Sequence, residues 1–411
     1  MNKKLSMAVA GAVMAFGASA ANAGITIPAG DWTIDIGGNV NAYYTHTKFD
    51  DAFDVPGLED TANTVQTGLL PSALGIGGKT RQNDLDIAFQ FTFFTGVDSG
   101  QVGSSAIGGF NGGPNALGLT GNGAAGANTL NIRQAYMTFG DKSWGTIKAG
   151  RDLGIFGSDA ILSDMTLLGV GVGAGAGGSS TLGRIGSGYM YADWVGQISY
   201  ASPNWNGFSF AVGVREPWTN GASNTARRSN MGFEGKVSYE WAGDYAGKVW
   251  AGYINQKHEG DTNALGVASA VSGDYRSDGW EIGAKANIAG FGLVGYYYEG
   301  DGLSGPASGL SGLFFLSGQE TDDEGGYVQA TYALPGIGTK LGASWGTSKS
   351  ESDANGVEFE NESWIVGAYH PLTKSLNLVA EYTHNELDNL GYVNGLDGEA
   401  KTVSLGAILF F

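Results

Sequence analysis

Cysteine is absent from all 411 residues, so the chain has neither disulfides nor thiolate metal sites. Charge is also scarce: charged residues make up 15% of the chain, and 40 acidic residues outnumber 22 basic ones. This acidic balance argues against nucleic acid as a partner, because the phosphate backbone is itself negative. After the N-terminal segment, no stretch holds the ~18 continuous apolar residues that a transmembrane helix needs.

The N-terminal segment, residues 1–23, has the three parts of a secretory signal peptide. Two lysines at positions 3 and 4 precede an apolar run from Leu5 to Phe16, and Ala21-Asn22-Ala23 is an A-x-A cleavage pattern. We expect cleavage after Ala23, which changes the formal charge from −18 to −20 by removing the two lysines. The remaining domain, 24–411, is predicted to be exported, either as a soluble secreted protein or as an outer-membrane barrel.

Glycine and two-residue alternation are what the chain has in abundance. There are 71 glycines, more than twice the usual share. The clearest alternation runs from Leu85 to Phe93, where every second residue is Leu, Ile or Phe, as in a half-buried strand. About sixteen such strands are predicted, beginning at Trp32, Thr67, Leu85, Leu130, Gly145, Tyr189, Phe208, Phe233, Lys248, Trp280, Leu293, Tyr327, Thr339, Ser363, Leu376 and Val403.

The connections between these strands alternate between short turns and long polar loops. Asp141 to Trp144, Ala289-Gly290 and Pro335-Gly336 are short turns, whereas 48–65, 96–128, 260–277 and 300–324 are predicted loops. A transmembrane barrel sorts its connections in this way, with short periplasmic turns and long outer loops, and a soluble sandwich has no reason to. Lipid cannot hydrogen-bond the backbone, so such a sheet must close. The fold class is therefore all-β, a transmembrane antiparallel barrel.

The segment Ile132 to Gly140, the strand Gly145-Thr-Ile-Lys-Ala-Gly-Arg151 and the terminal Phe411 resemble the Gram-negative trimeric porins. The resemblance covers the mature chain and implies a homotrimeric outer-membrane channel, embedded in lipid and lipopolysaccharide, for small hydrophilic solutes and ions. It also implies that the barrel assembly machinery recognises the last strand, which ends at Phe411. The enteric family's Pro-Glu-Phe-Gly-Gly loop run is absent here.

In that family the third outer loop folds into the barrel, and here the segment Gly150 to Gly188 takes its position. The resemblance implies that acidic loop residues face basic wall residues across a constriction, where a ring of charge selects ions. The acidic candidates are Asp152, Asp159 and Asp164, and the basic candidates are Arg133, Lys148, Arg151 and Arg184.

Each of these residues also has a simpler interpretation. The aspartates fit loop solvation or capping of a short helix near 159–168. The basic residues fit lipopolysaccharide or backbone contacts near the rim. Lys148 has inward parity with Thr146, whereas Arg151 has the opposite parity but lies where the strand is expected to bend.

Other chemistries find little support. The Gly-rich run 169–178 lacks the strand before and helix after it that a phosphate loop requires. The four histidines show no metal-ligand spacing. The acidic run Asp322-Asp323-Glu324 offers oxygens to divalent cations, but it matches no dedicated loop geometry, which favours a solvated outer surface. No cofactor, metal or catalytic step is predicted.

The sequence therefore predicts a porin that passes small hydrophilic solutes and ions, with a mild cation preference from its net negative charge. Two alternatives stay open. One is a substrate-specific channel, for which Tyr191 would be a lining aromatic residue. The other is a surface-attached β-protein that binds a partner.

Overall fold

The computed structural model describes residues 24–54, 59–97, 130–173, 180–216, 230–258, 275–304, 321–353, 356–389 and 393–411. The predicted signal peptide, 1–23, and the Gly-rich residues 174–178 lie outside these ranges. Eighteen strands form one sheet. They are β1 (Ile25–Ala29), β2 (Trp32–Asp51), β3 (Thr61–Gln66), β4 (Ser72–Gln82), β5 (Leu85–Thr95), β6 (Asn131–Asp141), β7 (Gly145–Leu153), β8 (Trp194–Ala201), β9 (Phe208–Arg215), β10 (Gly232–Trp241), β11 (Tyr245–His258), β12 (Tyr275–Ile288), β13 (Phe291–Asp301), β14 (Thr321–Ala333), β15 (Lys340–Ser352), β16 (Glu358–Pro371), β17 (Leu376–Asp388) and β18 (Gly398–Phe410).

The sheet closes into a sixteen-stranded antiparallel barrel, which confirms the predicted fold class and strand number. Neighbours in sequence are neighbours in the sheet, and β18 pairs with β2 from Gly398↔Asp51 to Phe410↔Asn39. Two of the sixteen strand positions in the barrel wall are each occupied by two strands. β1 continues the position of β18 along the lower part of β2, and β3 and β4 together form the second wall strand.

The second wall strand begins earlier than predicted, because residues 48–65 were expected to be a loop. Thr61–Gln66 is a strand, and the irregular part is 67–71 instead. Side-chain amides satisfy the backbone there: Asn41 donates to the Leu70 carbonyl at 2.7 Å and accepts from the Gly68 N–H at 2.9 Å. Polar residues on both faces of β3 hide its alternation from the sequence.

Several other strands are longer at their polar ends than the alternation indicates. β14 begins at Thr321 and β16 at Glu358, so the acidic run Asp322-Asp323-Glu324 lies within a strand and not within a loop. The ladder of backbone hydrogen bonds continues where the apolar pattern stops, because pairing depends on the neighbouring strand and not on side-chain polarity.

The two faces of the sheet have opposite character. On one face, large apolar side chains are exposed, for example Val40, Phe91, Ile198, Ile282 and Leu405. On the other face, polar residues such as Asn41, Thr92, Gln134, Glu281 and Ser404 are buried. Soluble proteins do not leave an apolar face of this size in water, whereas a barrel in lipid requires one.

Aromatic side chains form two bands at the edges of this apolar face. Near the short turns, Trp205 contacts Phe208, Tyr239 contacts Trp241, and Phe291 contacts Tyr332. Nearer the long loops, Trp280 contacts Tyr297 and Trp364 contacts Tyr382. Tyr and Trp prefer the interfaces between lipid and water, so the bands mark the two edges of the membrane-spanning region. No helix among the described residues has the length and hydrophobicity to cross a bilayer.

Candidate functional site

The connection between β7 and β8, residues 154–193, is called loop 3. Its described parts, 154–173 and 180–193, pack against the polar face of distant strands. Its backbone N–H groups donate to wall side chains: Ile155 to Glu234 on β10 at 2.5 Å, Gly157 to Glu281 on β12 at 2.9 Å, and Met165 to Gln329 on β14 at 2.7 Å. Val170 and Gly171 both donate to Oε2 of Glu381 on β17 at 2.8 Å. The wall thus supplies acceptors that an irregular backbone cannot find within itself.

Arg184 fastens the returning half of loop 3 to β15 and β16. Its guanidinium is fully buried, with Nε donating to Ser344 Oγ at 2.5 Å and Nη1 donating to Ser363 Oγ at 3.1 Å. Arg184 was predicted to be a basic wall residue, but it lies in loop 3 and contacts the wall from the loop side. Five donors in a fixed planar fork suit Arg to a buried junction of this kind.

Asp164 connects separate parts of loop 3 to one another. Its carboxylate accepts from the Thr166 N–H at 2.9 Å, from the Arg184 N–H at 3.2 Å and from the Tyr189 hydroxyl at 2.7 Å. It caps the short 3₁₀ helix Met165–Leu168, which is the capping role that the sequence left open as the simpler interpretation. Its oxygens face loop atoms and are buried.

Asp159, in the short helix α1 (Ser158–Ile161), bridges two lysines of the wall. Its Oδ2 lies 2.6 Å from Nζ of Lys236 on β10, and its Oδ1 lies 2.6 Å from Nζ of Lys248 on β11. Burial raises the pKa of the Asp159 carboxyl, but the charges of the two lysines lower it by a larger amount. The pKa therefore lies well below its ordinary value. The carboxylate is therefore ionised at neutral pH.

Asp152 and Lys148 form an ion pair on β7, with both side chains on the polar face. The Gln134 amide donates to the same carboxylate at 2.9 Å, and the Lys148 ammonium lies 5.1 Å from the centre of the Tyr136 ring. Asp152 is thus brought together with a predicted basic residue, although within one strand rather than across an opening.

The two remaining arginines lie near the ends of loop 3. Arg133 is the extra residue of a bulge in β6, because Thr92 pairs with Gln134 and Phe93 with Ile132. Its guanidinium lies 5.3 Å from the centre of the Phe94 ring. Arg151 is exposed and shares the parity of Ile147 and Ala149, so the structure does not bring it to the polar face with Lys148.

Three lysines that contact loop 3 directly were not among the site residues predicted from the sequence. Lys236, Lys248 and Lys285 all lie on the polar face of consecutive strands, and Lys285 Nζ is 3.5 Å from Ser163 Oγ. Glu281 and Glu381 were equally visible as polar residues of alternating strands. The sequence shows which side chains of each strand share a face of the sheet. It does not show which strand faces a given loop residue, because that depends on how the barrel closes.

A separate cluster lies on the exposed face near the long-loop end of β17 and β18. His384, Glu386 and Glu399 can bring three ligand atoms within 4.8 Å of one another. Lys401 Nζ lies 2.7 Å from Glu399 Oε2, which makes the cluster a network of ion pairs. The group is the one possible metal-ligand set among the described ranges. The ammonium of Lys401 beside it would repel a bound cation.

Comparison with known proteins places the chain among channels. The family model for Gram-negative porins matches residues 8–390. No curated protein matches the sequence significantly.

Solved structures show the same fold at low sequence identity. The outer-membrane channel DcaP of Acinetobacter baumannii has a TM-score of 0.63 at 14% identity, covering 93% of this chain and 99% of that one. An anion-selective porin from Comamonas acidovorans has a TM-score of 0.59 at 16% identity, covering 92% and 100%. OmpF of Salmonella typhi, solved with daunomycin, has a TM-score of 0.57 at 19% identity, covering 94% and 100%.

Proposed function

Because the chain belongs to the Gram-negative porin family and is a channel rather than an enzyme, we propose that small hydrophilic solutes and ions diffuse passively through its water-filled lumen. The observation that carries this proposal is the reversal of polarity between the two faces of the sheet. An apolar outer face meets lipid, and a polar inner face offers solutes a path of hydrogen-bonding groups.

Loop 3 narrows this lumen. One segment can contact β10, β12, β14 and β17 together only from within the cylinder that these strands enclose. Non-helical backbone is tolerated at membrane depth where it lines water and is held by protein. The charged groups beside the narrowed path are Asp159 with Lys236, Lys248 and Lys285, and Asp152 with Lys148, with Arg133 near the returning end of the loop.

The mild cation preference predicted from net charge arises at the rim. Strand ends next to the long loops carry many carboxylates, among them Glu299, Asp301, Glu324, Glu358, Glu360, Glu386 and Asp388. Exposed charges are screened over about 10 Å at 0.1 M salt and about 3 Å at 1 M. The preference should therefore decline as salt rises, since the lysines beside loop 3 do not favour cations.

The same family membership supports a homotrimer in the outer membrane. The Ala21-Asn22-Ala23 pattern supports removal of the signal peptide after Ala23. Lipid and lipopolysaccharide contact the exposed apolar face, and the barrel assembly machinery binds the strand that ends at Phe411. In that strand, exposed and buried side chains alternate up to its end, where Leu409 is exposed and Phe410 is buried.

Planar-bilayer recording of the purified protein tests the channel. We expect conductance in steps of three, because each trimer inserts three pores at once, and a reversal potential in a salt gradient that favours cations at low salt. In gel electrophoresis, the unheated protein should migrate differently from the heated one, as a closed barrel does. A mature protein that stays soluble without detergent and gives no conductance would instead support the surface-attached binding protein.

A further inference from the structure

Three lysines lie together on the polar face of adjacent strands beside loop 3. Lys248 and Lys285 are direct partners in the β11–β12 register, and Lys236 on β10 reaches the same carboxylate as Lys248. Like charges placed directly opposite each other on paired strands destabilise the pair. Sheet pairing itself does not require this arrangement. Because the lysines repel one another, we expect negative charge close by to offset the repulsion.

The structure supplies only part of that negative charge. Asp159 contacts Lys236 and Lys248, and Glu240 Oε1 lies 3.4 Å from Lys248 Nζ. Throughout the described ranges, no carboxylate lies within ion-pair distance of Lys285, and its ammonium lies 3.5 Å from Ser163 Oγ.

Two further carboxylates lie close by but are engaged elsewhere. Glu234 binds the Arg215 guanidinium at 2.6 Å and the Ile155 N–H at 2.5 Å. Glu281 accepts from the Gly157 N–H at 2.9 Å and from the Tyr296 hydroxyl at 2.8 Å. Both are buried, and among the described residues neither forms an ion pair with Lys248 or Lys285.

Loop 3 also provides hydroxyl groups beside the lysines. Lys236 Nζ donates to Ser158 Oγ at 2.9 Å, and Ser163 Oγ lies next to Lys285. The Ser158 hydroxyl donates its hydrogen to the Ile155 carbonyl at 2.6 Å, so Ser163 is the hydroxyl that can accept from a lysine and donate its own hydrogen to an anion. The ammonium side chains of Lys236 and Lys248 keep 19% and 14% of their surface accessible, enough for a solute to approach them.

We propose that Lys285 and Lys248, with Ser163, form a binding subsite in the channel for the phosphate or carboxylate group of small anionic solutes. Asp159 acts as its fixed counter-charge. A site in a channel must bind strongly enough to attract a solute and weakly enough to release it. Asp159 lowers the affinity by neutralising part of the cluster, and Lys285 retains the charge that an anion meets. The inference rests on the proposed function, because it requires the polar face to line the lumen.

The test is single-channel recording in potassium chloride with inorganic phosphate added at constant ionic strength. In the wild-type protein we expect phosphate to reduce or interrupt the chloride current, whereas an uncharged sugar of similar size has a smaller effect. Lys285→Gln should raise the phosphate concentration for half-block roughly threefold, the size of one partly exposed charge interaction. Lys285→Arg should restore the wild-type value, and Lys142→Gln, in the exposed turn after β6, should leave it unchanged.

The outcomes separate the two proposals. An absence of any conductance in the wild-type protein would contradict the channel itself. Normal conductance with no effect of phosphate on the wild type, or equal half-block in wild type and Lys285→Gln, would overturn the subsite and leave the channel intact. The size and threefold stepping of the conductance in Lys285→Gln show whether that variant folds and assembles.

Discussion

Oδ1 of Asp159 lies 2.6 Å from Nζ of Lys248, so an ion pair joins loop 3 to a wall strand 89 positions later in the chain. The same carboxylate reaches Lys236 on the neighbouring strand. Asp159 therefore fixes the position of the loop and, in the proposed channel, sets the charge beside the narrowed path. Because these two roles meet in one residue, its substitution is the most direct test of the site.

Replacing Asp159 with Asn should shift the ion preference toward anions. The change removes one negative charge while three lysines remain. The ratio of anion to cation permeability should therefore rise about twofold to fivefold, matching up to ~1 kcal/mol for an ion pair whose lysines are partly exposed. Reversal potentials in a salt gradient measure this ratio. Asp244→Asn, in the exposed turn before β11, removes the same charge far from loop 3 and should have no effect.

The effect of Asp159 should not depend on pH in the range where ordinary aspartates titrate. Since the lysines hold its pKa well below the ordinary value of ~3.9, the folded carboxylate stays charged as the pH falls. Its stabilisation of the loop is present above the unfolded pKa and is lost only as the pH falls through the lower folded pKa. The difference in reversal potential between wild type and Asp159→Asn should thus be constant from about pH 7 to about pH 4. Its disappearance well above pH 4 would mean that the ion pairs do not form.

Glu381→Ala should loosen loop 3 without unfolding the barrel. Val170 and Gly171 lose their shared acceptor, and each buried N–H left without a partner costs about 1–3 kcal/mol. We expect noisier single-channel currents with a larger mean conductance, and faster protease cleavage within the loop. Glu381→Gln keeps an acceptor oxygen and should show a smaller change. Glu358→Ala, exposed on β16, is the matched control, and an equal effect there would argue against the anchoring role.

Lys148 and Arg151 offer a comparison on a single strand. Lys148 lies on the polar face beside Asp152, whereas Arg151 is exposed on the opposite face. Lys148→Gln leaves Asp152 without its cation and should shift the reversal potential toward cations by the roughly twofold change expected for a partly exposed charge. Arg151→Gln should leave the reversal potential unchanged. A shift in Arg151→Gln as large as that in Lys148→Gln would place both side chains in the lumen.

The fold was largely predictable because it depends on a local pattern. Two-residue alternation shows which side chains share a face, and the sorting of connections by length separates the two ends of a barrel. The split of the second wall strand at 67–71 was not predictable, since it depends on Asn41 and on loop 3 reaching the same place. The extension of β14 to Thr321 was missed for a similar reason, because the neighbouring strand pairs with it there.

The candidate site was predicted only in part. The position of loop 3 in the strand order was readable, and so were its aspartates. Asp152, Asp159 and Asp164 look alike in the sequence, yet one pairs within its own strand, one bridges wall lysines and one caps a helical turn. Arg184 read as a wall charge and is a buried anchor of the loop.

The sequence alone therefore determined that this chain forms a closed barrel with a polar inner face, because strand periodicity and backbone hydrogen bonding leave no other arrangement in lipid. The tertiary structure decided which charges meet. Lys236, Lys248 and Lys285 come from strands that lie next to each other, but their contacts with Asp159 and Ser163 depend on how loop 3 packs against the polar face. Contacts between residues far apart in sequence follow from barrel closure and loop packing, which no local pattern encodes.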